Sequence, residues 1–169
     1  EDCSQAHGAE ILFKNKFQPV GSFGDIATWS FCQDKIISTG GEGGMITTND
    51  LEIYKKVWSF KDHGKNFNSL NISNRRSVGY QWIHDNLGSN FRLTEFQSAI
   101  GRLQIKKLST WNKLRTRNAL ILFEILKNIN GLRIPLPPKE KKHAWYKFNC
   151  YLNLSFLKSD WSRDRIIYE

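Results

Sequence analysis

Lys35 lies between a β-favouring run, residues 26–31, and the glycine cluster Gly40-Gly41-Glu42-Gly43-Gly44. Lysine is strongly hydrated and belongs on surfaces, so a lone lysine carried from a strand into a tight turn invites a chemical explanation. An amine stripped of water loses its preference for the charged form and becomes a nucleophile, which is what Schiff-base chemistry requires. The same local sequence also fits a lysine that lays its stem on apolar surface beside a hairpin and keeps its ammonium in water. Asp2, Gln5 and Ser30 precede it with a carboxylate, a carboxamide and a hydroxyl; Asn90 and Arg92 follow with a second carboxamide and a guanidinium. Each of these also has an ordinary use as a turn residue, a strand end, a cap or a surface charge.

Other chemistries find less support. Cys3 with His7 offers two metal-type ligands, and two ligands do not make a zinc site. His63, His84 and His143 stand in no motif, and a satisfied structural imidazole explains His7 as well as a catalytic one does. The glycines at 40, 41, 43 and 44 match neither G-x-G-x-x-G nor a Walker loop; a close backbone approach behind Lys35 explains them better.

The chain has 169 residues, 40% of them hydrophobic, with six Trp and eleven Phe, a globular rather than a disordered composition. No apolar run reaches the length of a membrane span and no signal peptide opens the sequence, so no membrane partner is expected. Three widely spaced cysteines, Cys3, Cys32 and Cys150, point to reduced thiols in a cytoplasm rather than a disulfide framework. Asn71-Ile72-Ser73 and Asn153-Leu154-Ser155 match the glycosylation pattern and mean little without a secretory context. The net charge of +9 is uneven: residues 1–50 hold three Lys against seven acids, whereas residues 51–169 hold 22 basic residues against nine acids. The basic residues are dispersed along helices and turns and no recognition motif accompanies them, so a charged solvent face is preferred over nucleic-acid binding.

The elements needed to position Lys35 follow from periodicity. Residues 26–31 and 45–48 read as strands flanking the lysine turn. Asn49-Asp50 starts a helix that runs from Leu51 to Lys61. Residues 62–90 break into Gly, Asn, Ser and aromatics, a loop of functional length. Thr94-Glu95-Phe96-Gln97 fits a capping box, after which Phe96, Ile100, Leu103 and Leu108 line one face. A second helix is expected from about Trp111 to Ile129, with Gly131 placed to end it. Strands at residues 132–135 and 144–154 then flank a boundary at Pro137-Pro138. The first residues read as the tail of a buried strand, the last ten as the opening of a helix. The order fits an α/β large domain leading into a smaller α+β domain.

Taken together, Glu1-Asp2-x-x-Gln5-Ala6-His7-Gly8-Ala9, Gly24-Asp25, Ser30-Phe31-x-x-x-Lys35, Gly41-Glu42-Gly43-Gly44 and Gly88-x-Asn90-x-Arg92 are a specific set in order and spacing. The sequence resembles the DegT/DnrJ/StrS family of sugar-nucleotide aminotransferases, which depend on pyridoxal 5'-phosphate and have the aspartate-aminotransferase (type I) fold. The resemblance is strong to about residue 130 and weaker beyond. It implies an α/β fold in which residues 1–130 are the later part of the cofactor-binding large domain and 131–169 the incomplete start of a small one.

The resemblance also implies roles. Lys35 would bind the cofactor covalently and then shuttle a proton. Asp2 would pair with the pyridine nitrogen, Gln5 would contact the ring face or phenolic oxygen, and Ser30 would donate to the phosphate. Asn90 would reach the phosphate of the other subunit, implying a homodimer with shared active sites. The reaction implied is transfer of an amino group from an amino acid, glutamate in this family, to a keto-sugar nucleotide, in amino-sugar and surface-polysaccharide synthesis. A competing expectation is a truncated, catalytically inert fragment, because the family's upstream phosphate cradle and cofactor-stacking aromatic are not in this sequence.

Overall fold

A computed structural model gives the fold; it describes residues 1–71, 82 and 84–169. In chain order the elements are β1 (Glu10–Phe13), β2 (Lys16–Pro19), β3 (Ala27–Ser30), β4 (Gly44–Thr47), α1 (Leu51–Lys61), α2 (Glu95–Ile105), α3 (Leu108–Leu126), β5 (Leu132–Arg133), β6 (Lys141–Lys142), β7 (Tyr151–Leu152) and α4 (Arg163–Tyr168). Helices and strands mix throughout, as an α/β assignment requires. Contacts divide the chain into two units, one of Glu1–Gln5 with Val20–Lys106, the other of Ala6–Pro19 with Lys107–Glu169.

In the first unit β3 and β4 pair antiparallel, Ala27 opposite Thr47 and Ser30 opposite Gly44. Asp2 bridges Thr28 in parallel on the other edge of β3, with Cys3 N donating to Thr28 O at 2.9 Å and Thr28 N to Glu1 O at 3.0 Å. Cys3, Ala27, Phe31, Ile36 and Ile37 are buried and form the small core behind the lysine turn. Asp50 caps α1 by accepting from Glu52 N and Ile53 N, which is why the helix starts where the sequence places it. Thr94 and Gln97 form the expected capping box at the head of α2.

In the second unit β1 pairs with β2 and with β6, all antiparallel. The β1–β2 hairpin turns through Lys14 and Asn15, both at positive φ (47° and 63°), the geometry that matches strand twist. This hairpin was not expected from the sequence, since Lys-Asn lacks the glycine that usually marks such a turn. β5 pairs with β7, and α4 lies within the last ten residues.

Several boundaries shift. The second helix begins at Leu108 and ends at Leu126, three residues earlier than expected at each end. The strand expected at 132–135 is only Leu132–Arg133, since Pro135 has no N–H to extend the ladder. The strand expected at 144–154 shrinks to Tyr151–Leu152; Trp145 has a φ of 52°, incompatible with a strand, and Arg115 Nη1 donates to its carbonyl at 3.1 Å. Within the loop expected at 62–90, residues 72–81 and 83 lie outside the described residues, as do Ile72 and Ser73 of the first glycosylation pattern. Among the described residues no helix is long and apolar enough to cross a membrane.

Candidate functional site

β3 ends at Ser30, and Phe31 N still reaches Gly43 O at 2.7 Å before the chain leaves the sheet. Lys35 N then closes a turn on Cys32 O at 3.0 Å, and Thr39 N returns to Phe31 O at 3.3 Å. Gly40 and Gly41, at φ +81° and +144°, carry the chain back into β4 through conformations that side chains resist. The result is a lysine held at the tip of a short excursion whose base is stitched by backbone hydrogen bonds. The Lys35 side chain is 13% exposed, and its Nζ lies 3.9 Å from Asp34 Oδ1. It is largely screened from water, and it keeps an acidic neighbour.

Asp2 occupies the strand edge beside Thr28. The Ser4 hydroxyl and the Ser4 N–H (3.0 Å) donate to its carboxylate and hold its pKa below the usual aspartate value, with smaller help from the α-ammonium of Glu1 and from Lys35. Asp2 is therefore an anion on the edge of β3. Ser30 is half-buried, and its Oγ accepts from Cys32 N at 3.3 Å, which leaves the hydroxyl proton for another acceptor. Gln5 follows Asp2 in an exposed turn. Lys35, Asp2 and Ser30 are thus gathered on one small sheet and its turn.

Asn90 belongs to a different local structure. It bridges Asp62 in antiparallel fashion at the end of α1, and its Oδ1 accepts from Arg92 N at 3.4 Å. Arg92 has a partner of its own: Nη1 donates to the Asp62 carboxylate, which Lys65 also contacts at 3.2 Å. Burial raises the pKa of Asp62, but the hydrogen bonds from Arg92 and Lys65 outweigh it and leave the group more acidic than an ordinary aspartate. Sequence reasoning missed Asp62 because its partner lies 30 positions away. An open cleft lies along β4 and α1, lined by Trp29, Met45, Val57, Trp58 and Leu93; Lys35, Asp2 and Gln5 are not among its walls. Among the described residues no cluster of three or more His, Cys, Asp or Glu could hold a metal ion.

An anion, a largely buried amine and a strand-end hydroxyl thus share β3 and the glycine-linked turn that follows it. The DegT/DnrJ/EryC1/StrS aminotransferase family profile matches residues 1–167, and the chain belongs to that family. The GDP-perosamine synthase of Escherichia coli O157:H7 is 38% identical over 147 residues, 86% of this chain and 35% of that protein. A UDP-N-acetyl-3-dehydro-alpha-D-glucosamine 3-aminotransferase of Acidithiobacillus ferrooxidans is 35% identical over 153 residues, 90% of this chain and 37% of its own length. The X-ray structure of an aminotransferase from Psychrobacter cryohalolentis superposes with a TM-score of 0.85 at 42% identity, covering all of this chain and 44% of that one. The chain therefore spans less than half the length of these relatives.

Proposed function

We propose that this polypeptide serves a pyridoxal-phosphate-dependent aminotransferase that moves an amino group from an amino acid, glutamate in the first instance, to a keto-sugar nucleotide. The observation that carries the reading is that β3 and the turn after it bring Asp2, Ser30 and a largely buried Lys35 side chain into one local structure. The residues fit that cofactor: Asp2 offers an anion for a protonated ring nitrogen, Lys35 an amine for a carbonyl carbon, and Ser30 a hydroxyl with its proton free. When bound, the cofactor supplies a sink for electrons left on a substrate carbon as its proton departs.

The remaining work falls to the chain's own side chains. Asp2 keeps a positive ring nitrogen favourable by charge and hydrogen bonding. With the cofactor bound, the Lys35 amine would hold its carbonyl carbon and, when released, would be placed to take up a proton and return it. The short tether from Cys32 to Lys35 limits the arc that Nζ can sweep, which favours delivery to one face. Gln5 orients the ring or its phenolic oxygen, and Ser30 donates to the phosphate. Asn90 donates to the phosphate of a second subunit, which makes the working unit a homodimer with shared sites. Residues 1–130 then form the later part of the cofactor-binding domain and 131–169 the opening of a small domain. Products of this kind feed surface polysaccharides, as the names of related proteins suggest.

Ping-pong kinetics test the reading. Glutamate alone should release one equivalent of 2-oxoglutarate, and Lys35→Ala should abolish it; release that survives the substitution would contradict the proposal. A second reading, that these 169 residues are inert by themselves, is favoured by the exposure of all four β4 residues and of Phe96 at 73%. Such apolar surface calls for more polypeptide to cover it. Mixing the isolated chain with pyridoxal phosphate and recording its spectrum separates the two readings.

A further inference from the structure

Asp62 sits where α1 ends and is the only charged residue among the buried side chains of the described structure. The chain at residues 88–92 is strapped against it: Ser89 N donates to Phe60 O at 2.9 Å, Phe91 N to Lys61 O at 2.9 Å, and His63 N to Ser89 O at 3.1 Å. The approach is so close that it depends on glycine. A Cβ on Gly64, which has a φ of +72°, would lie 1.7 Å from Asn86 O, and one on Gly88 would lie 2.2 Å from Gly64 N. Asn90 is carried at the centre of this strap.

Arg92 links the two residues. Its side chain donates to the Asp62 carboxylate, while its backbone N–H donates to Asn90 Oδ1. With its oxygen so engaged, the Asn90 carboxamide has its Nδ2 hydrogens left to donate. The Asp62 carboxylate is 10% exposed and is contacted by two cations, Arg92 and Lys65, so its place is fixed by charge as well as packing. Phe60 and Phe91 stack at 5.8 Å and close one side of the strap.

We propose that Asp62 is a positioning residue: through Arg92 it fixes the Asn90 carboxamide so that its N–H donors face an anionic phosphate. The proposal rests on the reading of Asn90 given above. Asp62 touches no reacting atom; it sets the pose of the residue that does the binding. It also neutralises Arg92, so that the guanidinium acts as a strut and not as a second phosphate ligand.

The test compares pyridoxal phosphate with pyridoxal, which lacks the phosphate, as ligands of the full-length protein. Asn90→Ala and Asp62→Asn should each weaken pyridoxal phosphate binding about tenfold and leave pyridoxal binding unchanged. The double variant should be no weaker than Asn90→Ala alone, since both act on one contact. Arg92→Gln breaks the same pair from its more exposed end and should show the same non-additivity even where Asp62→Asn fails to fold. Equal loss for both ligands would make Asp62 merely structural and overturn the proposal, as would unchanged or tighter pyridoxal phosphate binding in Asp62→Asn. If Asn90→Ala itself shows no phosphate-dependent loss, the reading of Asn90 falls and takes the proposal with it. If Asn90→Ala loses affinity while Asp62→Asn and Arg92→Gln do not, only the positioning role falls.

Discussion

Asp2 and Lys35 are joined through β3, although the β1–β2 hairpin and β3 itself separate them in sequence. β3 makes the link: Asp2 is bridged to Thr28 on it, and Lys35 hangs from the turn that follows Ser30. Neither residue alone would distinguish a site from a surface charge; the proposed site rests on their sharing this strand.

Asp2→Asn keeps the shape and removes the anion. With Ser4 still able to hydrogen-bond the new side chain, the local fold should survive. Transamination should fall on the order of a hundredfold, the typical effect of removing one preorganised electrostatic partner. Steady-state kinetics with glutamate measure it, and an Asp2→Asn enzyme of normal rate would remove Asp2 from the site.

Acid should weaken the strap through Asp62. The folded-state pKa of Asp62 lies below its ordinary value of 3.8, so its contribution is complete above that value and is lost as pH falls through the depressed one. The unfolded chain binds the proton first, which makes stability rise with pH across this window. Urea midpoints from about pH 5 downward should decline, and Asp62→Asn should flatten the decline. An identical slope in the variant would mean that Asp62 is not the linked group.

The strap also predicts a backbone effect. Gly64→Ala places a methyl group against Asn86 O in a left-handed conformation, and the strain should destabilise the protein by roughly 2–4 kcal/mol. Equilibrium urea unfolding reads this directly, and hydrogen exchange at Ser89 and Phe91 should accelerate, since their amides bond the end of α1. Unchanged protection there would contradict the described pairing.

Thr39 offers a change of opposite sign. Its Oγ1 is buried and has no hydrogen-bond partner among the described residues. Replacing Thr39 by valine keeps the volume and removes the unmet hydroxyl, so it should stabilise by about 1 kcal/mol. A clear loss of stability on thermal unfolding would show that the hydroxyl has work to do.

What the sequence displayed was the local part of this structure. The Asp50 cap and the Thr94–Gln97 capping box are short-range features, and each appears as read; of the glycines behind Lys35, Gly44 meets a close backbone atom, whereas Gly40 and Gly41 are explained by positive φ. Lys35, Asp2 and Ser30 are grouped through the resemblance to the family's motifs, and β3 with the turn after it carries all three. The Lys14-Asn15 hairpin stayed hidden because two non-glycine residues take positive φ there. The Asp62–Arg92 pair stayed hidden for another reason: no periodicity links a helix terminus to a residue 30 positions on. The strand expected at 144–154 failed because β-propensity counts residue types and cannot see the turn at Trp145.

The most direct test of the central claim is chemical trapping. The full-length protein is incubated with pyridoxal phosphate, reduced with borohydride, digested and mapped by mass spectrometry. The account predicts a single cofactor-sized adduct on Lys35, lost in Lys35→Ala together with the visible absorption of the bound cofactor. An adduct on another lysine, or full labelling of the Lys35→Ala protein, would contradict it.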